Sequence, residues 1–331
     1  MRDLKVQMTE SELLKMYHNM VLIREFEERT AEMYARGKIT GFCHLYIGEE
    51  AVAVGAISAL NQDDYVVSSY RDHGHCLVKG SGPSEVMAEL FGRATGVCKG
   101  KGGSMHLFDF ERGFLGGYAI VAGGIPIAVG VGQAIKYRKE DKVVACFFGD
   151  GATNAGAFYE SLNMAKIWSI PVIFICENNF YGIGTYVDWA SSAKNLYKKS
   201  EAFEIPSEQV NGMDVMAVWE ATKRASAAAR QGKGPYFIEA LTYRFRGHSM
   251  SDPADYRPRR EEKLWKERDP IPSFARTLVD EGIVDPERLK AIKEEVVEEV
   301  EEAVQFADRS PWPESIELMK DVYSEREGEE I

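Results

Sequence analysis

The chain has 331 residues, 45% hydrophobic and 28% charged, a composition that fits a globular protein and excludes a disordered one beyond the last few residues. Its formal net charge of −12 arises in one region: residues 261–331 hold 22 acidic and 10 basic side chains while residues 1–260 balance, so no nucleic-acid partner is expected, because phosphate backbones call for a concentrated basic surface. There is no signal peptide, no apolar run of about 18 residues, and no metal-type or paired spacing among the five cysteines, so the expected setting is a reducing cytoplasm with no membrane partner.

Thr9-Glu10-Ser11-Glu12 is a capping box, and Leu13, Tyr17, Met20, Val21 and Phe26 carry an apolar helical face to about Ala35, where Gly37 stops it. Residues 1–40 therefore read as an N-terminal helical arm. Gly48 to Leu60 predicts a second helix of small residues, Tyr65 to Ser68 a short strand, and Pro83 a helix start running through Phe91. Residues 92–132 are dense in glycine, but the interspersed Met105, Leu107, Phe108, Phe114 and Leu115 predict a long ordered loop. A helix begins at Gly130, small enough on one side to approach a sheet closely.

Val143 to Phe148 is apolar without alternation, as expected of a strand buried on both faces of a parallel sheet. Thr153 to Ile167 then predicts a helix, and Val172 to Cys176 a second buried strand. Ala217 to Arg230 reads as helix and Pro235 to Thr242 as strand. Beyond Pro253 three helices are expected, the longest from Pro286 to about Asp308 with Leu289, Ile292, Val296, Val300 and Val304 on one face. The fold class is α/β: a central, mostly parallel sheet flanked by helices over residues 41–260, with an N-terminal helix and an acidic C-terminal helical region over 261–331.

Two turns of this pattern carry chemistry. Gly149-Asp150-Gly151 follows one strand and Glu177-Asn178-Asn179 ends the next, so Asp150 and Asn179 both fall at carboxyl ends of parallel strands, where open α/β sheets bind ligands. A carboxylate, an amide oxygen and a nearby backbone carbonyl are hard oxygen donors suited to Mg²⁺, which takes phosphate oxygens for the rest. Glycines at 149 and 151 let the backbone approach phosphates closely. A bare Gly-Asp-Gly also fits a tight turn in which Asp150 only caps a helix; the second half of the pattern, at the next strand end, favours the magnesium-diphosphate reading.

The pair resembles the two-part motif of thiamin diphosphate enzymes. Around it, GFCHLY (41–46), Gly48-Glu49-Glu50, Ser69-Tyr70-Arg71-Asp72-His73-Gly74, KGKGGSMH (99–106) and RGHSMSDP (246–253) resemble stretches of the alpha subunits of the decarboxylating component of 2-oxo acid dehydrogenases. The KGKGGSMH stretch is similar to the pyruvate and acetoin types and unlike the branched-chain type. The resemblance spans roughly Glu12 to Asp308 and implies a thiamin diphosphate-binding fold. It implies Asp150, Asn179 and the Tyr181 carbonyl as metal ligands, with Gly151 and Ala152 against the diphosphate. It also implies Tyr70, Arg71 and His248 at the diphosphate, Ala119 and Val121 touching the aminopyrimidine through their backbone, and His44 and His248 as catalytic residues. His73 and His75 are read as structural.

The implied activity is oxidative decarboxylation of a small-molecule 2-oxo acid, pyruvate foremost, with the acyl group passed to the lipoyl group of an acyltransferase component; cofactors are thiamin diphosphate and Mg²⁺. Because this chain has room for one nucleotide-type half only, the resemblance implies a beta subunit that supplies the activating carboxylate in an α2β2 heterotetramer. Ser249 stands at a position phosphorylated in eukaryotic members, but Asp255 and Tyr186 occupy the other two, so kinase control is not expected there. An acetoin dehydrogenase or a branched-chain alpha subunit is the alternative activity; a non-catalytic scaffold is the alternative from another class.

Overall fold

In the computed structural model, which describes residues 4–322, the capping box is formed: Glu12 N–H donates to Thr9 Oγ1 (3.3 Å) and Thr9 N–H to Glu12 Oε2 (2.8 Å). After the single turn α1 (Leu4–Gln7), this box opens α2 (Glu10–Ala35), whose inner face buries Leu13, Met16, Met20, Ile23 and Phe26. The short helix α3 (Glu50–Ser58) is buried almost throughout, which its small residues permit. The strand β1 (Tyr65–Ser69) is followed by α4 (His73–Lys79) and α5 (Pro83–Leu90), and the glycine-rich stretch then yields an edge strand, β2 (Phe114–Tyr118).

The central unit is α6 (Gly124–Arg138), β3 (Val144–Gly149), α7 (Gly156–Ile167) and β4 (Val172–Asn178). A two-stranded hairpin, β5 (Tyr181–Gly182) with β6 (Thr185–Tyr186), and the turns α8 (Val187–Ala190) and α9 (Lys198–Glu201) lead to β7 (Ser207–Asn211), α10 (Val215–Arg230) and β8 (Tyr236–Leu241). Three α-helices follow, α11 (Arg259–Lys266), α12 (Pro270–Asp280) and α13 (Pro286–Arg309), and a 3-10 turn over Ser315–Met319 ends the described chain.

The six main strands are ordered β2-β1-β3-β4-β8-β7, and every neighbouring pair is parallel. Alternation along the strands splits the core in two. Ala145, Phe147, Ile173 and Ile175 face α2, α3, α10 and α13, while Val144, Cys146, Phe148, Val172 and Phe174 face α6 and α7. Both faces are covered, which is why the strands read as unbroken apolar runs. The chain goes outward from β1 to β2 and then returns to the other side of β1 for β3, so the order reverses between β1 and β3 and a crevice opens at their carboxyl ends.

Some details differ from the sequence reading. Residues 114–118 form a strand and α6 begins at Gly124, not Gly130. The pattern FLGGY hides a strand because two of its five residues are glycine, and packing demands them: a Cβ on Gly117 would lie 1.9 Å from Asp72 Oδ2. Asp150–Asn154 is a 3-10 turn that precedes α7. The polar edge strand β7, Ser-Glu-Gln-Val-Asn, offered no apolar run. The last few residues, expected to be disordered, lie outside the described residues. Among the described residues no helix is long and apolar enough to cross a membrane.

Candidate active site

Five segments that leave carboxyl ends of the sheet converge on one cavity of about 450 Å³, a size ordinary for a small-molecule site. Tyr70 and Arg71 follow β1, Ala119 and Val121 follow β2, and Asp150, Gly151 and Ala152 follow β3. Asn179 and Tyr181 follow β4, and His248 lies on the loop after β8. His44 joins them from the segment before α3, so all the site residues singled out in the sequence line the same cavity.

One end is built from oxygen atoms. Asp150 is 4% exposed, and burial pushes its carboxyl up to about 6 against the pull of the Arg244 guanidinium. Arg244 is itself buried, and its Nη1 donates to Asn179 Oδ1 (3.3 Å) and to the Tyr181 carbonyl (3.2 Å). Both of these oxygens thus face a cationic donor. Among the described residues no group of three or more His, Cys, Asp or Glu side chains could hold a metal ion. A cation here would rely on one carboxylate, one amide oxygen and one carbonyl, a donor set that fits Mg²⁺ bound together with phosphate.

The floor beside these oxygens is bare backbone. A Cβ on Gly149 would meet nothing within 4 Å, and one on Gly151 only the Gly182 Cα at 3.8 Å; both glycines line the cavity, so any side chain there would fill the space a diphosphate needs. Above it lies a cluster of rings: His44 to Tyr70 at 4.6 Å, His44 to His248 at 5.1 Å and Tyr70 to His248 at 5.6 Å between centroids. Burial, with Arg71 adding, lowers the His44 imidazole to about 2 and His248 to about 3. Both rings are neutral at pH 7, and Nδ1 of each is buried without a hydrogen-bond partner. Unpaired buried nitrogens are costly and mark atoms arranged for a guest.

Arg71 is 5% exposed and donates from Nη1 to the Leu45 carbonyl (2.6 Å) and from Nη2 to the His248 carbonyl (2.8 Å). It thereby fastens the loop after β8 to the segment before α3. That loop is further tied by Asp252, whose carboxylate accepts from His248 N–H (2.6 Å), Ala254 N–H (2.9 Å) and the Tyr256 hydroxyl (2.6 Å). Arg244 Nη2 donates to the same Tyr256 oxygen at 3.1 Å. The cation end and the histidine loop are thus joined through Arg244 and Tyr256.

His73 and His75 sit behind the cavity wall. His73 Nδ1 is 2.9 Å from Glu27 Oε2 and its Nε2 2.9 Å from Ser104 Oγ, while Ser104 Oγ accepts from the His44 backbone N–H (3.3 Å). His75 Nε2 is 3.1 Å from Glu177 Oε1 and its Nδ1 3.2 Å from Ser68 Oγ. Neither lines the cavity, in keeping with the structural reading of both. Sequence reasoning missed Glu49, Glu177 and Arg244, which do line it. Arg244 had a signal, since it leaves a strand end four residues before His248; Glu49 and Glu177 lay inside motifs without being singled out.

This architecture agrees with the comparisons to known proteins. Residues 18–316 match the family described as dehydrogenase E1 component. The chain belongs to that family. It is similar to proteins named pyruvate dehydrogenase E1 component subunit alpha: 46% identical to that of Porphyra purpurea, over 97% of this chain and 95% of the other. Likewise it is 44% identical to that of Rickettsia bellii (96% and 98%) and 48% identical to that of Rhizobium meliloti (93% and 89%).

Proposed function

We infer that this chain is the alpha subunit of a pyruvate dehydrogenase E1 component, an oxidoreductase that acts on the oxo group of pyruvate and works with a beta subunit. The observation that carries the reading is the convergence of Asp150, Asn179, Arg71 and His248 on one cavity at the strand-order reversal, in a chain similar over nearly its whole length to the alpha subunits named above.

The residues present fit thiamin diphosphate with Mg²⁺. Asp150, Asn179 and the Tyr181 carbonyl would hold the cation, Gly151 and Ala152 the diphosphate with Tyr70, Arg71 and His248 around it, and the backbone of Ala119 and Val121 the aminopyrimidine. When bound, the cofactor supplies an electron sink for loss of CO₂ from a 2-oxo acid. The chain's own residues bind and orient. Neutral His44 and His248 each present an Nδ1 that, according to its tautomer, can donate or accept a hydrogen bond beside the diphosphate or the substrate carboxylate.

Val121, which lines the cavity, is 53% exposed, and its chain neighbour Ile120 is 78% exposed, apolar surface that a partner subunit would cover. That partner is the beta subunit of an α2β2 heterotetramer, which brings the carboxylate that activates the cofactor. The acyl group leaves on the lipoyl group of an acyltransferase component, and the assembly works in the cytoplasm.

Reconstitution tests the reading. The chain with a beta subunit should decarboxylate pyruvate in the presence of thiamin diphosphate and Mg²⁺ and reduce a lipoyl domain, and Asp150→Ala should abolish cofactor binding measured by calorimetry. Robust turnover by the chain alone, or preference for acetoin or a branched 2-oxo acid, would overturn it.

A further inference from the structure

Glu49 is 1% exposed, lines the cavity and takes no part in the assignments above. Its Oε1 accepts from Asn179 Nδ2 at 3.0 Å. Its Oε2 has no hydrogen-bond partner and lies 3.7 Å from Arg71 Nε. On the opposite edge of the same amide, Asn179 Oδ1 accepts from the Tyr181 N–H (3.4 Å) and from Arg244 Nη1 (3.3 Å), which also reaches the Tyr181 carbonyl.

A carboxylate accepts and a guanidinium only donates. With Glu49 on one edge and Arg244 on the other, Asn179 has one satisfied orientation; turned over, its Nδ2 would face the Arg244 N–H and its Oδ1 a carboxylate. The orientation matters because a hard cation is bound by Oδ1 and repelled by Nδ2. Oδ1 lies on the side of the Tyr181 carbonyl, since both share Arg244 Nη1.

We propose that Glu49 is a positioning residue for the cation end of the site: its acceptor oxygen locks the Asn179 amide so that Oδ1, beside the Tyr181 carbonyl, faces the place of a divalent cation. The inference rests on the reading of that end as a Mg²⁺ site. Outer partners of this kind set the geometry of the ligands they touch, and their loss commonly costs about 10–100-fold in metal affinity.

The test uses the chain assembled with its beta subunit and measures Mg²⁺ affinity by calorimetry at saturating thiamin diphosphate. Glu49→Gln keeps an acceptor and should bind Mg²⁺ close to wild type, whereas Glu49→Ala should bind about 10–100-fold more weakly. Asn179→Asp sets a second carboxylate against Glu49 and should also weaken binding. The double variant N179D/E49Q exchanges amide and carboxylate, so the amide now at position 49 donates to the carboxylate now at position 179, and it should recover about tenfold over N179D alone. Wild-type affinity in E49A, or no recovery in the exchanged pair, overturns the proposal. If E49A does not assemble, the exchanged pair decides by comparison with N179D. A wild-type complex that takes no Mg²⁺ overturns the cation reading itself, a result distinct from equal affinities in wild type and variant.

Discussion

His73 and Glu27 form a fully buried pair, Nδ1 to Oε2 2.9 Å, joining α4 to α2 behind the cavity wall. The other Glu27 oxygen accepts from the Tyr46 N–H (2.7 Å) and the other His73 nitrogen meets Ser104, so the pair holds both segments that flank His44. Burial would lower the His73 pKa, but Glu27 and then Asp72 outweigh it and hold the ring above its ordinary value. A pKa raised in the folded state contributes stability that is complete below the unfolded value of about 6.5 and is lost as pH rises through the folded one. Thermal midpoints should fall across that alkaline window, and the fall should be shallower in His73→Gln, which should itself cost on the order of 3 kcal/mol by leaving Glu27 without its partner. Equal pH slopes in the two proteins would contradict the pairing.

The pH response at the cavity has the opposite sign. His44 and His248, lowered to about 2 and about 3, contribute stability that is present above about 6.5 and is lost as pH falls towards those values, because the unfolded chain takes up protons there and the folded one does not. Ring nitrogen shifts in NMR should report neutral imidazoles for both at pH 5.5. His248→Asn should reduce the slope of stability against pH on the acid side.

Arg244 links the cation end to the loop after β8 through Tyr256 and the Tyr181 carbonyl. Arg244→Met removes these bonds and with them the tie between Tyr256 and the cation end, leaving the loop to Arg71, which holds the His248 carbonyl, and to Asp252. The expected loss of stability is on the order of 2–4 kcal/mol, and residues 246–257 should become sensitive to limited proteolysis before the rest of the chain. Cleavage at wild-type rates would show that Arg71 and Asp252 hold the loop without Arg244.

Close helix packing gives a prediction far from the cavity. A Cβ on Gly55 of α3 would stand 2.5 Å from the Val215 carbonyl oxygen and 2.8 Å from the Val218 Cβ on α10, and backbone cannot swing aside. Gly55→Ala should therefore destabilise by about 1–3 kcal/mol despite alanine's better helix propensity, measured as a lower denaturant midpoint. At Gly130, where a Cβ meets nothing within 4 Å, the same change should be neutral or slightly stabilising.

Much of this is legible in the sequence alone. The runs ending at Phe148 and Cys176 read as buried parallel strands because both faces of β3 and β4 are covered, and the two-part motif places Asp150 and Asn179 at neighbouring strand ends. The capping box at Thr9 is local chemistry and needs no tertiary context. By contrast β2 and β7 are invisible there, one holding two glycines that neighbours require and the other polar at a sheet edge. Glu49 and Arg244 escape for a different reason: their roles consist of contacts to Asn179, 130 and 65 positions away in the chain, and no spacing within a motif records such a pairing.

The long helix α13 closes over α2, with Arg29 paired to Glu301 across 272 positions. A ribosome delivers about 5–20 residues per second, so α2 emerges on the order of tens of seconds before the helix that covers it. During that interval apolar residues such as Leu289 and Ile292 do not yet exist to meet its surface. That face of α2 is thus open to aggregation and chaperone capture until α13 has been made, and a stop codon anywhere before residue 286 leaves the first long helix without this part of its cover.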